Sequence, residues 1–352
     1  MRVYWDRAVQ RLGRRGAALA AAGVVLLLVA LVVVPISMSG GKLNCDKSPR
    51  PERCPALAPW PKLSVPPRPL SPVEVATQGE YVALGDSYSA GEGAYATPAD
   101  TAPANRCHRT SQAYPWIIAN DFKFAHGMAF WACSGAETRN VLHGQNGEPP
   151  QINRLSSDTS LVTISIGGND TGFATVLAGC VLKLPWSSGC RSQGLAVGKR
   201  LTTLHGTMTA LLQTITAKAP NARVLVIGYP RIFSDSSSDW ASNNLGLGDL
   251  RWLNARGEEV DQLLRQVVQD QDDAIQRLHW KGSCEYVDTY AAFAGHEVGS
   301  SVPYVNNLDM NLMAMTAQPD SFHPTAAGYK ALAALVRKQI QAGPGRTILQ
   351  FR

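Results

Sequence analysis

The sequence predicts an α/β domain over about residues 79–343, a three-layer sandwich in which helices cover both faces of a parallel five-stranded sheet. Three observations carry that expectation. From residue 80 onward, short apolar runs alternate with stretches of helical period, the order that a parallel sheet with crossover helices requires. The chain has 352 residues and is 45% hydrophobic, enough for one large core. Its basic excess lies outside this region. Residues 1–78 carry 11 Lys and Arg against 4 Asp and Glu, whereas residues 79–352 carry 22 against 23. The folded part is therefore near neutral, with no basic face interleaved with aromatics, and this argues against nucleic-acid binding.

Tyr81–Leu84 is the first strand, and it stops at Gly85-Asp86-Ser87. Ser111–Lys123 has apolar residues at helical spacing. Met128–Cys133 and Leu161–Ile166 (LVTISI) are the second and third strands. Leu201–Ala219 is an amphipathic helix, followed by a fourth strand, Arg223–Tyr229 (RVLVIGY), which ends before Pro230. Leu250–Leu278 is a long helix with acids and glutamines outward, Glu285–Val287 is the fifth strand, and Thr325–Gln341 is the last helix, with threonine as its N-cap. The apolar stretch Phe173–Trp186 (FATVLAGCVLKLPW) reads either as packing beside the sheet or as the wall or lid of an acyl pocket.

The N-terminus accounts for the net charge of +6. Five arginines (Arg2, Arg7, Arg11, Arg14 and Arg15) precede Ala17–Ile36, twenty residues without a charge. A helix of roughly 20 apolar residues spans a bilayer, and arginines on its N-terminal side remain cytoplasmic. Residues 1–16 then form a cytoplasmic segment, 17–36 a transmembrane anchor, and the remainder lies outside the cell. Ser37-Met38-Ser39 offers a cleavage site, so the same span also reads as a signal segment of a secreted protein. Nine prolines between Pro49 and Pro72 make residues 37–78 a semi-rigid linker. Residues 344–352 read as a tail.

Seven cysteines fit an oxidising compartment. Cys180 and Cys190 bracket a nine-residue loop, Cys45 and Cys54 bracket one of eight, and Cys107 and Cys133 could close a longer loop. Cys284 is then left unpaired, although spacing alone leaves the pairing open. There is no C-x-x-C and no H-x-x-x-H, so no zinc site is expected.

Ligands of open parallel sheets sit beyond the carboxyl ends of the strands. Four polar clusters fall there: Gly85-Asp86-Ser87, Cys133-Ser134-Gly135-Ala136, Gly167-Gly168-Asn169-Asp170, and Asp320-Ser321-Phe322-His323-Pro324. Singly, each is an ordinary turn or helix start. Together they supply what acyl transfer needs. A serine hydroxyl requires a base, and His323 alone among seven histidines has a carboxylate, Asp320, three residues before it and a proline after it. Asp320 would hold the imidazole tautomer and stabilise the imidazolium. The side-chain N–H of Asn169 and the backbone N–H groups of Ser87 and Gly135 can receive an oxyanion. Asp86 and Asp170 hold their turns.

The ordered set GDSYSAGEG, ACSGA, GGND and DSFHP resembles the four sequence blocks of the SGNH (GDSL) hydrolases. It is closely similar to the secreted actinobacterial esterases and lipases of that family, down to Tyr114-Pro115 after the first block and the Cys107/Cys133 arrangement. The resemblance covers roughly residues 80–343. It implies a flavodoxin-like fold, Ser87 as nucleophile, His323 as base, Asp320 as its orienter, an oxyanion hole of Ser87, Gly135 and Asn169, and a mechanism without metal or cofactor. The absence of G-x-S-x-G argues against the other common serine-hydrolase fold. The expected function is therefore an extracytoplasmic serine ester hydrolase acting on a lipid or an acylated glycan. Acyl transfer or deacetylation on cell-envelope glycans or lipids would use the same residues. A non-catalytic surface binding protein would have no need of the complete set.

Overall fold

The computed structural model describes residues 68–181, 190–234, 245–311, 316–348 and 350. Five strands form one parallel sheet: β1 (Glu80–Gly85), β2 (Met128–Phe130), β3 (Thr159–Ser165), β4 (Arg223–Ile227) and β5 (Ser283–Val287). Their order is β2-β1-β3-β4-β5, and every neighbouring pair is parallel. The strands alternate two apolar faces, as side chains of successive strand residues must. Tyr81, Ala83, Leu161, Leu225 and Ile227 face one core cluster, whereas Val82, Leu84, Val162, Ile164, Val224 and Val226 face the other. Both faces are covered, which is why these strands read as continuous apolar runs.

Eight helices accompany the sheet among the described residues: α1 (Pro72–Thr77), α2 (Ser87–Ala90), α3 (Tyr114–Asp121), α4 (Thr138–His143), α5 (Phe173–Val181), α6 (Gly194–Lys218), α7 (Leu247–Arg277) and α8 (Ala326–Ala342). Tyr114 and Ile118 of α3 and Tyr329, Leu332, Val336 and Ile340 of α8 fill the first cluster. Leu204, Met208, Leu211, Leu212 and Ile215 of α6 and Val260, Leu264, Val267 and Val268 of α7 fill the second. Thr325 caps α8, its hydroxyl accepting from the Gly328 N–H at 3.3 Å. The short helices α4 and α5 have no counterpart among the expected elements.

The ordered domain extends beyond 79–343 at both ends. Ser71 and Glu74 form a capping box that starts α1, with Pro72 in its first turn. Ala76 of α1 is fully buried, and its carbonyl accepts from Ser160 Oγ at 2.7 Å. The stretch that reads as the end of a linker is thus part of the domain. So is the supposed tail: Arg346 pairs with Asp272 at 2.7 Å, Ile348 is buried, and the Gln350 carbonyl accepts from the Leu70 N–H at 3.0 Å.

Cys107–Cys133 and Cys180–Cys190 are disulfides, and Cys284 is a free, buried thiol in β5. No helix among the described residues is long and apolar enough to cross a membrane. The expected span Ala17–Ile36, the arginines before it and the Cys45/Cys54 pair lie outside the described residues.

Strand order places the chemistry. The chain leaves β1 for β2 on one side and returns past β1 to β3 on the other, so the topological switch lies between β1 and β3. A crevice opens there beyond the carboxyl ends of the strands. Ser87 follows β1, and Gly167–Asp170 follows β3.

Candidate active site

Ser87 is the first residue of α2, immediately past the corner that ends β1. Asp86 makes that corner: its Oδ1 accepts from the Tyr88 N–H at 3.0 Å and caps the helix. Its Oδ2 accepts from the Tyr229 hydroxyl at 2.5 Å, and that hydroxyl accepts in turn from the Gly168 N–H at 2.9 Å. Tyr229 thereby ties the serine corner to the turn after β3. Burial pushes the Asp86 carboxyl up to about 7, against the opposing pull of the Tyr229 and Tyr88 hydrogen bonds. Asp86 is a holder of geometry, as its sequence position suggests.

His323 Nε2 lies 2.8 Å from Ser87 Oγ. Its Nδ1 lies 3.1 Å from the backbone carbonyl oxygen of Ser321. A carbonyl can only accept, so Nδ1 carries the proton and Nε2 is left to accept from the serine hydroxyl. Burial pushes the imidazole below its ordinary value of 6.5; the charges of Glu92 and Asp320 and the nearby carbonyls oppose that shift. His323 is therefore a neutral base at pH 7.

Asp320 does not take the place expected of it. No hydrogen bond joins it to His323, and its buried Oδ1 has no hydrogen-bond partner among the described residues. The cause is the backbone. The Ser321 N–H donates to the Gln318 carbonyl at 3.1 Å and the His323 N–H to the Asp320 carbonyl at 3.0 Å, with Phe322 between them at φ 62°. These overlapping turns swing the Ser321 carbonyl, rather than the carboxylate, onto Nδ1. The turn is anchored on several sides: Ser321 Oγ bonds Asp309, Tyr88 donates to the Phe322 carbonyl at 2.8 Å, and Asn306 exchanges backbone hydrogen bonds with Phe322 and His323. Asn306 Nδ2 also reaches the Gly93 carbonyl at 2.9 Å, fastening the histidine turn to the loop after the serine helix.

Gly135 sits at φ 78°, in the left-handed region that glycine enters freely. Its N–H and that of Ser87 have no acceptor among the described residues. Asn169 Nδ2 donates one hydrogen to the Ala136 carbonyl at 2.9 Å and keeps the second for another acceptor. Asp170 accepts from the Thr138 N–H at 3.0 Å and from the Thr138 hydroxyl at 2.6 Å, locking the turn after β3 to the start of α4. Thus the structure brings Ser87, Gly135, Asn169 and His323 to one end of the sheet and leaves Asp320 beside them without the bond.

Glu92, almost completely buried, has no signal in the sequence that singles it out. It receives His108 Nδ1 at 2.8 Å and the hydroxyls of Ser134 and Tyr95. Ser134 precedes Gly135, so this carboxylate joins the loop after the serine helix to the loop that carries the Gly135 N–H. The Cys107–Cys133 disulfide lies next to both contacts in sequence, and the Cys107 carbonyl accepts from the Ser134 N–H at 3.0 Å.

A cavity of about 630 Å³ opens from Ser87, Asn169 and His323. That is within the range of sites that hold drug-sized ligands. Its walls are mainly apolar: Phe173, Leu177 and Val181 of α5, Ile232 and Phe233 after β4, and Leu253 of α7. The described part of the stretch Phe173–Trp186 is thus a wall of the cavity, and the disulfide at Cys180 clamps it.

Residues 83–331 match the model of the GDSL-like lipase/acylhydrolase family. The chain belongs to this family. It is 36% identical to Lipase 1 of Streptomyces coelicolor over 256 residues, which are 70% of this chain and 81% of that protein. It is 31% identical to a lipase of Streptomyces rimosus, over 71% of this chain and 82% of that one. Among solved structures, phospholipase A1 from Streptomyces albidoflavus superposes with a TM-score of 0.62 at 33% identity, covering 74% of this chain and 99% of that chain. The extracellular lipase of Streptomyces rimosus gives 0.60 at 29% identity, with 74% and 99% covered. This GDSL-family chain is accordingly a carboxylic ester hydrolase with the fold of those lipases.

Proposed function

We propose that the protein is a membrane-tethered, extracytoplasmic esterase or lipase that cleaves esters of apolar acyl groups through an acyl-enzyme on Ser87. The observation that carries the reading is the 2.8 Å contact between Ser87 Oγ and His323 Nε2 at the head of an apolar cavity. In this mechanism His323 takes the serine proton as Oγ bonds to the ester carbonyl carbon. The negative charge that develops on the carbonyl oxygen is received by the N–H groups of Ser87 and Gly135 and the second N–H of Asn169. The intermediate collapses, the C–O bond to the alcohol breaks, and the imidazolium returns its proton to the leaving oxygen. Water, deprotonated by the same histidine, then releases the acid and restores Ser87. The Ser321 carbonyl holds the imidazole throughout and accepts from Nδ1 while the ring is charged. The apolar cavity favours a fatty acyl group over the acetyl group of a glycan.

The location rests on the arginine-flanked span Ala17–Ile36 and on two disulfides in the catalytic domain, which persist in oxidising compartments. To test the nucleophile, wild type and Ser87→Ala are assayed on p-nitrophenyl esters and treated with a serine-reactive phosphonate. Ser87→Ala is expected to lose ~10³-fold or more of kcat with its fold intact, and the phosphonate to label Ser87 alone. Activity persisting in the variant refutes the assignment.

A further inference from the structure

Helix α7 carries a stripe of core-facing residues at helical spacing: Leu250, Leu253, Val260, Leu264 and Val267, all buried. One position of that stripe, 257, is a glycine. A glycine in a helix interior weakens the helix relative to alanine, so it needs a compensating reason. Close packing is not the reason, because a Cβ built on Gly257 meets nothing within 4 Å. The open space beside it is the catalytic cavity, which Gly257 lines together with Leu253, Asn254 and Val260.

The route from the nucleophile to this point follows the sheet. The cavity passes from Ser87 after β1, past Gly168 and Asn169 after β3, to Tyr229–Phe233 after β4. Adjacent strands are about 4.8 Å apart, so β4 stands about 10 Å from β1. Helix α7 packs on the segment that leaves β4: Asn254 Nδ2 donates to the Phe233 carbonyl at 2.8 Å, and Asp261 Oδ1 accepts from the Tyr229 N–H at 2.8 Å. These two contacts bracket Gly257 in the helix. A butyryl group on Ser87, four bonds at about 1.5 Å each, extends at most about 6 Å, short of the distance of about 10 Å to β4, on whose exit segment α7 packs. A long chain running along the cavity reaches it.

We propose that Gly257 is a specificity-determining residue: by omitting a side chain from the wall of α7, it leaves room for the distal part of a long acyl chain. The inference rests on the ester-hydrolase reading above and names the chain-length class of that site. Gly257→Ala, Gly257→Leu and Gly257→Phe should fill the space in that order. The assay is kcat/KM for p-nitrophenyl butyrate, decanoate and palmitate. The loss should grow with chain length, at most a few-fold for butyrate and ~10-fold or more for palmitate in Gly257→Phe, the scale on which single groups in apolar pockets discriminate. Gly257→Ala should fold normally, with its Tm raised by about 2 °C.

Equal losses at every chain length, or no change with Gly257→Phe, would overturn the proposal. A binding measurement separates it from the assignment of the nucleophile. In the Ser87→Ala background, palmitate binding followed by titration calorimetry should weaken ~10-fold or more with Gly257→Phe, whether or not Ser87 is the nucleophile. Palmitate binding that is undiminished in Gly257→Phe overturns the role of Gly257 and leaves the Ser87 reading standing.

Discussion

Asp320→Ala distinguishes a histidine oriented by a carboxylate from one oriented by a backbone carbonyl. In a serine triad whose acid is hydrogen-bonded to the imidazole, losing that acid costs about 10⁴-fold in kcat, or about 5.5 kcal/mol of transition-state stabilisation. Here the Nδ1 proton is accepted by the Ser321 carbonyl at 3.1 Å, and that acceptor survives the substitution. Asp320 reaches His323 only through space, and its charge acts on the imidazole less than those of Glu92 and the Ser321 carbonyl do. The expected loss in kcat is therefore below about tenfold, under ~1.4 kcal/mol. The pH profile provides an independent readout. The Asp320 charge opposes the downward shift of the imidazole, so its removal lowers the histidine value further. Since the neutral form of His323 is the active one, the acid limb of kcat/KM should move to lower pH than in wild type. The assay is hydrolysis of p-nitrophenyl butyrate by wild type, Asp320→Ala and Asp320→Asn across the acid range, with thermal melts to confirm folding. A loss of 10³-fold or more in folded protein would refute the backbone-acceptor account and restore Asp320 to the triad.

Asn169→Ala should lower kcat by ~10²–10³ with little change in KM, because only one oxyanion donor is lost; a defect confined to KM would make Asn169 a substrate-positioning group. The Cys180→Ser/Cys190→Ser double variant should lose about 2–3 kcal/mol of stability in chemical denaturation, as expected for a short closed loop, and should lose more activity on palmitate than on butyrate esters because α5 is a cavity wall. Equal losses on both esters would reduce this disulfide to a staple. N-terminal sequencing of protein recovered from carbonate-washed membranes should find residues 1–36 retained; a mature start near Gly40 would show a secreted enzyme instead.

Much of this protein is legible in the chain itself. Residues buried on both faces of a sheet must be apolar without interruption, so LVTISI and RVLVIGY announce parallel strands by residue pattern alone. Ser87, Gly135, Asn169 and His323 are legible because each is a short-range signal, a particular side chain or a glycine at the end of a strand or the start of a helix. The beginning of the domain is also written locally, in the Ser71-x-x-Glu74 capping box, but the surrounding prolines make it read as linker. What the chain does not reveal by itself depends on groups that every residue carries or on distances that only folding closes. The acceptor for His323 is a backbone carbonyl, which has no residue signature, and a turn with Phe322 at positive φ decides that it, rather than Asp320, faces the ring. Tyr229 meets Asp86 across 143 positions of sequence, and Glu92 meets Ser134 across 42. The cavity joins the ends of three strands to one face of α7, so the space beside Gly257 exists only in the packed molecule. Local chemistry determined which groups could act; tertiary packing decided which of them touch and what shape of substrate they admit.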